Sequence, residues 1–104
     1  MTLKPSVRLT GIKPELAVAL MVADSVYRDH GCLMVVTAVC DSKHSPGSLH
    51  YAGLAADLRT RDIAPETVAK IVERLKSALG MDFDVVLEAD HVHLEFQPKV
   101  PLCP

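Results

Sequence analysis

The apolar positions of the chain fall into short blocks whose spacing switches between the helical and the strand period. Leu16, Ala19, Leu20, Ala23 and Tyr27 recur at helical spacing, with Pro14 placed for a first turn and Gly31 for the end. Val68, Ile71, Val72, Leu75 and Leu79 repeat that pattern, which predicts a second helix starting at Pro65 and stopping at Gly80. Leu33 to Val39 is a continuous, β-branched apolar run and reads as a buried strand. Leu54 to Arg59 and Phe83 to Leu87 read as further short strands. In the last block Val92, Leu94 and Phe96 alternate with His91, His93 and Glu95, the period of two that marks a half-buried strand. One face of it is core and the other carries imidazoles. Only Glu88, Ala89 and Asp90 separate this strand from Phe83 to Leu87, so the two are predicted to form a hairpin. Cys40 to Leu49, with Ser45, Pro46 and Gly47, reads as a loop, and the tail from Gln97 to Pro104 as extended chain. The elements sum to an α+β fold with helices packed on one sheet.

Size and composition narrow the function classes. At 104 residues the chain is expected to form a single domain spanning residues 1–104, without room for a separate wall-binding module. A hydrophobic fraction of 49% argues against disorder. The formal charge of −2, with no basic run, argues against nucleic acid as a partner. The three cysteines, Cys32, Cys40 and Cys103, are odd in number and lack a CxxC spacing, which argues against a disulfide framework and suits a reducing cytoplasm. The apolar run from Leu16 to Ala23 is far short of the roughly twenty residues a bilayer span needs, so it reads as a core helix and no membrane partner is expected. No secretory signal is evident, and synthesis in the cytoplasm is expected.

The chemistry is concentrated in two separated segments. The first runs from Ser48 through His50, Gly53 and Ala55 to Asp57, and the second from Glu88 through Asp90 and His91 to His93. Two ligands of one tetrahedral zinc ion must bring their donors within roughly 3 to 4 Å of each other. Seven residues of continuous strand would separate His50 from Asp57 by about 23 Å, and seven of helix by about 10 Å. The chain must therefore double back between them, and Gly53 sits where such a turn can use positive φ. A lone histidine on a strand is ordinarily a surface or hydrogen-bonded group. The case for a metal rests on His50, Asp57, His91 and His93 jointly, because ligand-type side chains cluster on short polar faces between apolar runs. Arg59, Arg61 and Glu95 have two readings, lining the cleft or simply solvated, of which the second is the default for surface charges.

The stretch from Ser48 to Asp57 matches an SxHxxGxAxD pattern at all its specified positions, and Glu88 to His93 matches ExxHxH. In both respects the chain resembles the family of zinc D-alanyl-D-alanine carboxypeptidases and peptidoglycan endopeptidases, over roughly residues 33 to 97. The resemblance implies a hedgehog/DD-peptidase-like fold, an antiparallel sheet with helices packed on it. It also implies Zn2+ as cofactor, with His50, Asp57 and His93 as ligands and a fourth position open for water or substrate. His91 in place of His93 is the alternative, since both point the same way along the strand. Asp90, three residues before the last ligand, is the implied general base and Glu88 the runner-up. His91 is a candidate for oxyanion stabilisation. The implied function is a zinc metallopeptidase that hydrolyses a peptide bond in peptidoglycan stem peptides. Zinc acidifies water and polarises the carbonyl in such a site, and a nearby carboxylate shuttles the proton. A chain of this size without a wall-binding module suits a phage endolysin, acting on the cell wall after release by another factor.

One departure stands out. Many members of the family carry an Arg after the strand that precedes the first motif, where it binds substrate or stabilises the transition state. Here that stretch, Thr37 to His44, has none. Lys43 or His44 is the candidate donor, and Ser48 a further substrate contact, although neither a point charge nor an imidazole reproduces a guanidinium fork. Two other classes follow from the same residues. One is a non-catalytic zinc-binding module on the same fold, which loss of the Arg favours and retention of Asp90 and Glu88 disfavours. The other is a metal-free histidine phosphoesterase, which would want two histidine pairs with hydroxyl residues, whereas this chain has one pair followed by Leu94.

Overall fold

A computed structural model describes residues 1–39 and 54–98. The elements along the chain are β1 (Thr2–Leu3), α1 (Pro14–Asp29), β2 (Val35–Ala38), β3 (Ala55–Arg59), α2 (Pro65–Leu79), β4 (Phe83–Leu87) and β5 (His91–Phe96). The expected loop from Cys40 to Leu49 lies outside the described residues, as does the tail beyond Pro98.

Both helices form where the apolar period predicts. Pro14 and Pro65 open them at the first turn, where a missing N–H costs nothing. Gly31 follows the first helix at φ +71°, and Gly80 ends the second at φ +81° with its N–H bonded to the Lys76 carbonyl. The buried stripe of α1 is Leu16, Ala19, Leu20, Ala23, Val26 and Tyr27, and that of α2 is Val68, Ile71, Val72 and Leu75. No helix among the described residues is long and apolar enough to cross a membrane.

The strands assemble into one five-stranded sheet in the order β1-β2-β3-β5-β4. The pairs β2–β3, β3–β5 and β4–β5 are antiparallel, and the predicted hairpin joins β4 to β5, with the Glu88 N–H donating to the His91 carbonyl at 2.8 Å. The short β1, which no periodicity foretells, pairs with β2 in parallel, so the sheet is mixed rather than purely antiparallel.

One sheet face meets the helices. Val36, Ala56, Leu58, Val85, Val92 and Leu94 enter the same core cluster as the helical stripes. The opposite face carries Thr37, Asp57, Arg59, His91, His93 and Glu95, because alternate side chains of a strand point to opposite faces. The expected buried strand from Leu33 to Val39 is shorter, Val35–Ala38, and half-buried: Leu33 is 63% exposed, and Val35 and Thr37 are only partly covered. Helices cover β2 on one side only, and its other side borders the polar face.

Candidate metal and catalytic site on the polar face of the sheet

The register of β3 against β5 decides which side chains meet. Asp57 stands directly opposite His93, Arg59 opposite His91 and Ala55 opposite Glu95. Directly opposed residues of an antiparallel pair hold their Cβ atoms about 5 Å apart. A carboxylate and an imidazole at such positions therefore meet without distortion. Asp57 Oδ1 lies 2.9 Å from His93 Nδ1 and 3.6 Å from His91 Nε2.

His93 is held from both sides. Its Nε2 lies 2.9 Å from Glu95 Oε1, two residues along the same face of β5. The hydrogen bond from Asp57, reinforced by that from Glu95 and opposed by desolvation, pushes the His93 pKa up to about 9. In the metal-free chain at neutral pH the ring is then an imidazolium that donates from Nδ1 to Asp57 and from Nε2 to Glu95.

Asp90 sits at the hairpin turn, and its carbonyl accepts from the Thr60 N–H at 3.1 Å, which ties the turn to the end of β3. Its carboxylate lies 2.7 Å from His91 Nδ1, and that hydrogen bond holds the Asp90 pKa below the usual carboxylate range. His91 is thus placed between Asp90 and Asp57. These three residues line one open cleft of about 450 Å3 together with Lys4, Thr37, Ala38, Arg59 and Arg61. Glu88 is not brought to it; it lines a separate cleft with Thr60, Arg61, Ile63 and Leu87.

Tetrahedral ligands about 2.0 to 2.1 Å from zinc lie roughly 3.3 Å from one another. The 2.9 Å from Asp57 Oδ1 to His93 Nδ1 is near that value, so this one carboxylate and one imidazole are spaced as two ligands of a zinc ion would be. Among the described residues no group of three or more His, Cys, Asp or Glu side chains is placed to hold a metal ion. His50, the remaining ligand that the resemblance implies, lies outside those residues, as do the substrate candidates Lys43, His44 and Ser48.

Three residues depart from the default for surface charges. Arg59 and Arg61 line the cleft that holds Asp57 and His91, the other of the two readings the sequence left open. Glu95 has a side chain only 18% exposed and bonds His93, a contact the sequence did not indicate. Their placement on the ligand face follows from strand alternation for Glu95 and Arg59, which is the signal that marks them. No family model matches the chain, and no curated protein matches it.

Proposed function

We propose that the protein is a zinc metallopeptidase with the hedgehog/DD-peptidase-like fold, cleaving a peptide bond in peptidoglycan stem peptides. The observation that carries the reading is the pairing of Asp57 with His93. They come from two motifs 36 positions apart, stand opposite each other on β3 and β5, and approach to 2.9 Å. In the proposed site His50, Asp57 and His93 hold the metal.

Zinc bound there supplies an electrophile for the peptide carbonyl and acidifies water. The remaining work falls to the chain's own side chains. Asp90 is ionised at neutral pH, the form in which a carboxylate takes up a proton, and the His91 hydrogen bond that lowers its pKa also makes it a weaker base than a free carboxylate. The 2.7 Å contact between His91 and Asp90 orients the imidazole, whose Nε2 faces the Asp57 side of the cleft. With Nδ1 donating to Asp90, that nitrogen can donate to an oxyanion only when the ring carries a proton on both nitrogens. Lys4, Arg59 and Arg61 line the same cleft and supply cations where the resemblance lacks its usual Arg. A free carboxylate of a stem peptide is their natural partner.

The test is the metal content of the purified protein, wild type beside His93→Ala and His91→Ala, followed by peptidoglycan digestion. About one zinc per chain is expected, lost with His93 and retained with His91. Absence of zinc from wild type after reconstitution and dialysis would sink the reading. Zinc without digestion of any wall preparation would favour the non-catalytic module.

A further inference from the structure

The carboxylate of Glu95 has no reason to be there as a surface charge. Its cross-strand neighbours are Ala55 on β3 and Asp84 on β4, neither of which is a cation. Its side chain is 18% exposed, whereas surface carboxylates normally extend into water. Its own contacts run along β5. Oε1 faces His93 Nε2 at 2.9 Å, and Oε2 accepts from the Gln97 side-chain amide. Residues 93, 95 and 97 share one side of the chain at intervals of two, and the Gln97 backbone is anchored by its N–H to the Asp82 carbonyl at 2.7 Å.

A neutral imidazole has one lone pair, and the hydrogen bond made by one ring nitrogen decides which nitrogen keeps it. In the metal-free chain both ring nitrogens face a carboxylate, Nδ1 that of Asp57 and Nε2 that of Glu95, each at 2.9 Å. With Asp57 taken up as a ligand, Glu95 would be the acceptor left to hold the proton, on Nε2, and the lone pair would be on Nδ1.

We propose that Glu95, braced by Gln97, is the positioning residue of the metal site, fixing His93 with its proton on Nε2 and Nδ1 toward the metal. The inference rests on the zinc reading above and adds to it a residue outside both motifs. Glu95 does not touch substrate or metal. It acts on ligand orientation and basicity, which carboxylate partners of metal-binding histidines control.

The experiment uses zinc-loaded, 15N-labelled full chain, as wild type, Glu95→Ala, Glu95→Gln and Gln97→Ala. Zinc affinity is read by competition with a chromophoric chelator, and the protonated nitrogen of His93 by long-range 1H–15N correlation. Wild type should carry the His93 proton on Nε2. Glu95→Ala should weaken zinc binding about 10- to 100-fold, the usual effect of losing such a partner. Glu95→Gln, whose amide oxygen can still accept, should stay within a few-fold of wild type, with Gln97→Ala between the two. A Glu95→Ala variant that binds zinc as tightly as wild type would overturn the proposal, and so would a wild-type His93 proton on Nδ1. The second result needs no variant, so misfolding of a variant does not shelter the idea. Wild type that takes up no zinc overturns the metal reading itself, and this inference with it, before any variant is compared.

Discussion

Asp57 on β3 and His93 on β5 are direct cross-strand partners, with Asp57 Oδ1 2.9 Å from His93 Nδ1. The carboxylate holds a proton on the imidazole that a metal must displace. Zinc binding near pH 7 should therefore release about one proton from this ring, and affinity should rise roughly tenfold per pH unit towards pH 9. Calorimetric titrations in buffers of different ionisation enthalpy count that proton. Proton-free uptake at pH 7 would contradict the pairing.

The same pair sets a pH dependence of the metal-free fold. The His93 pKa is raised from 6.5 to about 9, so between those values the folded state holds a proton that the unfolded state has lost. The stabilisation is full below about 6.5 and lost as pH rises through about 9. Solvent reaches the ring, which limits the gain to on the order of 1 kcal/mol. Urea unfolding of the metal-free protein at pH 6 and pH 9.5 should show that loss in wild type and little of it in His93→Gln.

Asp90 and Glu88 border different clefts; the Asp90 carboxylate bonds the His91 ring, whereas Glu88 meets His91 through its backbone N–H. Under the proposed peptidase function, Asp90→Asn is expected to lower kcat on peptidoglycan by about 100- to 10,000-fold while zinc content is unchanged. Glu88→Ala should retain activity within a few-fold. Release of free amino groups from purified cell walls measures both, and the reverse order would move the base to Glu88.

Arg59 is held loosely by Asp62 at 3.9 Å, leaving its guanidinium available to the cleft. Arg59→Ala should raise KM for a stem peptide about tenfold with kcat little changed, the pattern of a lost binding contact. Steady-state kinetics on a synthetic peptide with a free C-terminal carboxylate, set against its amide, reads this directly. An equal preference for acid and amide would remove the carboxylate role from Arg59.

Gly80 closes α2 at φ +81°, and a Cβ built there meets nothing within 4 Å. The cost of Gly80→Ala is therefore backbone strain alone, about 1 to 3 kcal/mol, because φ +81° with ψ −173° lies in an essentially glycine-only region. Thermal unfolding of the metal-free protein would register it as a lowered Tm. An unchanged Tm would mean that the helix end adjusts.

The two helices and strands β3, β4 and β5 were legible from local pattern, because burying one face imposes a period on the residues that form it. The polar stripe His91, His93, Glu95 was legible for the same reason. The small β1 was not, since two residues carry no period, and neither was the one-sided cover of β2, which depends on where distant helices pack. Sequence alone also determined that a carboxylate and two histidines are available on strand faces. Which histidine stands opposite Asp57, whether Glu95 meets water or an imidazole, and which cleft receives Asp90 rather than Glu88 were decided only by tertiary structure. The register between β3 and β5 is set by backbone hydrogen bonds and core packing between segments far apart in the chain, and a slip of one residue would turn every one of these side chains to the other face.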